Sequence, residues 1–63
     1  MSAFGKQLEK NIKRKINAIA NGTETVKEAG VNKMITRLKT IDEASAEELQ
    51  IKYIETVKAS KNK

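Results

Sequence analysis

The 63-residue sequence contains no cysteine, no histidine and no proline, and it has only three glycines, one tyrosine and one phenylalanine. Each absence excludes something. Without cysteine there is neither a disulfide nor a thiolate metal site. Without histidine the chain lacks the usual general base, the usual neutral metal ligand and the side chain that titrates near neutral pH. The acid/base reserve is eight carboxylates. An activated serine or threonine would find no imidazole to deprotonate it. The expectation is a non-enzymatic protein with no cofactor, no metal and no small-molecule substrate. No apolar run approaches the ~18 residues needed to cross a bilayer. Met1 to Lys15 has no apolar secretory core, so the expected setting is the cytoplasm of a cell or of an infected host. A single domain is expected at this length.

With no proline to break it, the apolar spacing is helical throughout. Phe4, Leu8, Ile12, Ile16 and Ile19 recur at four, four, four and three residues and predict a first helix over about 3–20. Lys6, Lys10 and Lys13 fall on the opposite face, Lys15 at the edge of the stripe, and Glu9 with Lys13 makes an i,i+4 pair. Asn21-Gly22 supplies a left-handed helix stop. A second helix is expected over about 24–41, with Thr25 and Glu28 spaced as a capping box. As one straight helix its apolar face would carry Lys27 and Arg37, so a kink or break is expected at Gly30. Val31, Met34, Ile35, Leu38 and Ile41 then form their own stripe. The box Ser45-Ala46-Glu47-Glu48 predicts a third helix over about 45–60, with Ala46, Leu49, Tyr53, Ile54 and Val57 inward and Glu48 paired to Lys52 outside. Residues 60–63 are expected to fray. Short links make neighbours antiparallel, and the predicted architecture is an all-α, three-helix bundle with its second helix kinked or broken at Gly30.

The charge is uneven. Residues 1–21 hold five basic residues and one acid, 22–41 four and two, and 42–63 four and five, for a net +5 overall. A basic first helix beside a basic second one suits phosphates, and the residues expected to contact them are Lys6, Lys10, Lys13, Arg14, Lys33 and Arg37. Lysine outnumbers arginine eleven to two, which speaks for charge attraction more than for bidentate reading. Phe4 and Tyr53 are both expected in the core, so no aromatic platform is available to stack single-stranded bases.

Ala29-Gly30-Val31-Asn32 resembles the turn of a helix-turn-helix DNA-binding motif, in which a glycine sits between a short helix and the recognition helix. The resemblance covers about twenty residues. Beyond the turn the register departs from that family's. Thr36 and Lys39 occupy positions where it has apolar residues, Ile35 and Leu38 come one position early, and Val26 is bulkier than the small residue usual there. The carboxylates Asp42, Glu43, Glu47 and Glu48 lack calcium-loop spacing and suit a helix start.

A second class of function competes with nucleic-acid binding or transcription regulation. Ile51 lies off the core face of the third helix, while Ile54 and Ile35 lie at stripe edges. These three form a candidate contact for a protein partner or a homodimer, in the manner of an inhibitor, adaptor or small phage-type assembly component.

Overall fold

The computed structural model describes residues 2–61, which form four helices and no strand: α1 (Ala3–Asn21), α2 (Val26–Ala29), α3 (Val31–Lys39) and α4 (Glu43–Lys61). None of these helices is long and apolar enough to cross a membrane.

α1 starts where Ser2 accepts a hydrogen bond from the Gly5 N–H at 3.1 Å, a side-chain cap on an otherwise unpaired donor. Leu8, Ile12, Ile16 and Ile19 are buried as their spacing predicts. Phe4 is a correction: it is 59% exposed, and Gly5 is the buried residue of the first turn. From Ile12, Gly5 lies about 20° around the helix and Phe4 about 80°, so Phe4 sits beyond the arc its neighbours cover. α1 ends in a left-handed glycine, Gly22 at φ +81°. The Gly22 N–H donates to the Ile19 carbonyl and the Thr23 N–H to that of Ala18, a Schellman pattern that satisfies two terminal carbonyls.

The expected second helix is two helices. Thr25 caps α2 by accepting from the Glu28 N–H at 3.2 Å. After one turn Gly30 adopts φ +62° and α3 begins at once. A Cβ on Gly30 would meet nothing within 4 Å, so the requirement for glycine there comes from the backbone dihedral and not from crowding. The break lets Ala29, Val31, Ile35 and Leu38 all turn inward. α3 stops at Lys39, so Ile41 leaves the predicted stripe and lies exposed in the following turn.

α4 starts two residues earlier than expected. Asp42, not Ser45, is its cap: the Asp42 Oδ1 accepts from the Ser45 N–H at 3.2 Å, and the Asp42 carbonyl accepts from the Ala46 N–H. The N–H groups of Ile41 and Asp42 both donate to the Leu38 carbonyl, which folds the chain tightly and leaves a shorter link than the sequence suggested. Ala46, Leu49 and Tyr53 are buried and Val57 packs against the core, but Ile54 is 45% exposed and does not belong to the inner face. Glu48 and Lys52 do not close an ion pair; among the described residues the two pairs are Lys13–Glu9 and Lys15–Glu24. Ser60 and Lys61 are helical, against the expected fraying, and Asn62 and Lys63 lie outside the described residues.

The C-terminal turns of α1 and α4 line one depression together, so these two helices run in the same direction. α3 runs against both, with its start near Tyr53. Its apolar face touches α1 and α4 at once, which is why that face is wide enough to bury Ile35. Among the described residues no polar or charged one is buried in the core.

Candidate nucleic-acid interface

Lys6, Lys10, Lys13 and Arg14 are all exposed on the outer face of α1, and Lys33 and Arg37 on that of α3. Each set follows from amphipathic spacing: charged side chains take the arc opposite the buried stripe. Lys10, Lys13 and Arg14 share a shallow depression with Asn17 and Asn21 of the same helix. Lys6 joins Lys10 and Lys13 in a neighbouring one, on the Glu9 side. On α3, Lys33 and Arg37 line a separate depression with Asn32, Thr36 and Thr40. These three depressions group the predicted residues by helix: those of α1 line two of them and those of α3 a third.

Two lysines of α1 are engaged. Lys13 meets Glu9 at 3.0 Å in an exposed i,i+4 pair, an interaction weak enough for a phosphate to displace. Lys15 is held more firmly. It donates to Glu24 at 2.6 Å from a half-buried position, tying α1 to the segment that leads into α2. The other carboxylate oxygen of Glu24 is buried with no hydrogen-bond partner. Lys6, Lys10, Arg14, Lys33 and Arg37 close no ion pair among the described residues.

The outer face of α3 holds more than sequence reasoning picked out. Asn32, Thr36 and Thr40 repeat at i,i+4 beside Lys33 and Arg37, and that spacing was the available signal. The Thr36 hydroxyl donates to the Asn32 carbonyl at 2.9 Å and the Thr40 hydroxyl to the Arg37 carbonyl at 2.7 Å. α3 contains no acidic residue.

The left-handed Gly30 between two helices is the feature the helix-turn-helix resemblance requires. The rest differs: the preceding helix is one turn long, and the connection is a single residue where that motif uses three or four. Of the three residues expected to meet a protein partner, Ile51 and Ile54 are exposed, at 59% and 45%. Ile35 is not available. It is 5% exposed and part of the core.

No protein-family model, curated protein or solved structure matches the chain.

Proposed function

We propose that this chain is a small basic module that binds nucleic acid, in the manner of a transcription regulator, through phosphate contacts from α1 and α3. The carrying observation is five exposed cations on two helices, Lys6, Lys10, Arg14, Lys33 and Arg37, none of them paired with a carboxylate among the described residues. In this reading α2 and α3 act as one broken arm of a three-helix bundle. Phosphate contact releases counterions, so affinity falls as salt rises. The triple substitution Lys6→Gln, Lys10→Gln, Lys13→Gln is expected to flatten the slope of log affinity against log salt on duplex DNA by about 2–3, at ~0.9 per lost contact. Helicity is expected to be unchanged, since all three residues lie away from the core. An unchanged slope means that this face is merely solvated.

Ile51 and Ile54 favour a second reading, a non-enzymatic interaction module that meets a protein partner through α4. Binding through those side chains is expected to be nearly independent of salt.

A further inference from the structure

We propose that the outer face of α4 pairs with the same face of a second copy, with the two helices antiparallel about a two-fold axis. This makes the protein-partner reading specific and does not depend on nucleic-acid binding.

The face consists of Glu47, Ile51, Ile54 and Lys58, all exposed. Their spacing of four, three and four residues is that of a coiled-coil seam, and it confines them to an arc about 60° wide. The arc lies away from Leu49 and Tyr53, which face the core. α4 is thus apolar on two sides, and only one is covered by its own chain.

The order of residues along the seam selects the occupant. A two-fold axis crossing α4 midway between Ile51 and Ile54 sets Ile51 opposite the second copy's Ile54, and Ile54 opposite its Ile51. The same operation sets Glu47 opposite the second copy's Lys58 and Lys58 opposite its Glu47. One register therefore matches both isoleucines and both charges, and symmetry makes each contact twice. A parallel pairing fails by the same count, because it opposes Glu47 to Glu47 and Lys58 to Lys58. Among the described residues neither Glu47 nor Lys58 closes an ion pair, which leaves both to bond across the axis.

The test is sedimentation equilibrium of the full chain, without nucleic acid, at concentrations up to about 1 mM. A monomer–dimer equilibrium is expected. Ile51→Asp sets a buried charge against the second copy's Ile54 and is expected to weaken it by about 100-fold or more. Glu47→Lys and Lys58→Glu are each expected to weaken it by about 10-fold, since each creates two like-charged contacts. The double reversal, Glu47→Lys with Lys58→Glu, is expected to return to within about threefold of the original dimer. Circular dichroism on each variant reads whether the helices persist. A protein that stays monomeric throughout the range overturns the proposal. So does a dimer indifferent to Ile51→Asp, or one that the double reversal fails to restore.

Discussion

α1 and α4 are each nineteen residues long and lie side by side in the same direction, yet they treat their outer faces differently. Past its first turn, where Phe4 is exposed, α1 keeps its isoleucines and leucine inside and most of its lysines outside. α4 turns Leu49 and Tyr53 inward, leaves Ile51 and Ile54 exposed on its outer face and mixes the charges there. A helix of the first kind needs only water opposite its core. A helix of the second kind leaves apolar area in water, where its burial would be favourable. The contrast puts a cation-rich surface on α1 and exposed isoleucines on α4.

The comparison breaks most visibly at matched isoleucines. Ile16→Ala on α1 is expected to cost about 2–5 kcal/mol of unfolding free energy, because it opens a cavity at a fully buried position. Ile51→Ala on α4 is expected to stay within about 0.5 kcal/mol in chemical denaturation of the monomer. If the two losses are alike, α4 is covered on both faces within a single chain. The helix starts come next. Asp42→Ala is expected to cost about 1 kcal/mol as a lost cap, whereas Ser45→Ala is expected to leave the denaturation midpoint nearly unmoved. The smallest contrast lies in the surface pairs. Glu9→Gln removes a closed i,i+4 pair and is expected to cost about 0.3 kcal/mol at low salt. Glu48→Gln is expected to cost less, since the pair with Lys52 is open.

Much of this was legible in the residues. The stripe from Leu8 to Ile19, the stop at Gly22, the Thr25 cap and the interruption at Gly30 all follow from local spacing and from what glycine alone permits. The misreadings fall at stripe edges and at competing caps. Phe4, Ile35 and Ile54 each lie near the boundary of an apolar arc, where burial depends on how far a neighbouring helix extends. That is a property of packing, and periodicity does not contain it. Asp42 and Ser45 are both good caps three residues apart, and the tight turn tied to the Leu38 carbonyl decides between them. For the candidate interface, periodicity placed the exposed lysines correctly on each helix. How the two basic faces are divided between separate depressions depends on the third dimension.

The single turn of α2 has a consequence for how the protein opens. Its last N–H, on Ala29, bonds to the Thr25 carbonyl at 3.0 Å, and its other supports include the Thr25 cap, the burial of Ala29, the packing of Val26 on the core and the Lys15–Glu24 tether. So short a helix has little cooperative hydrogen bonding of its own. Its amide protons should therefore trade with solvent deuterium long before those at Ile12, Ile16 or Leu49, through an opening that leaves α1 and α4 together. The segment ahead of α3 is in that sense a separate unit of opening, and the left-handed joint at Gly30 marks its edge.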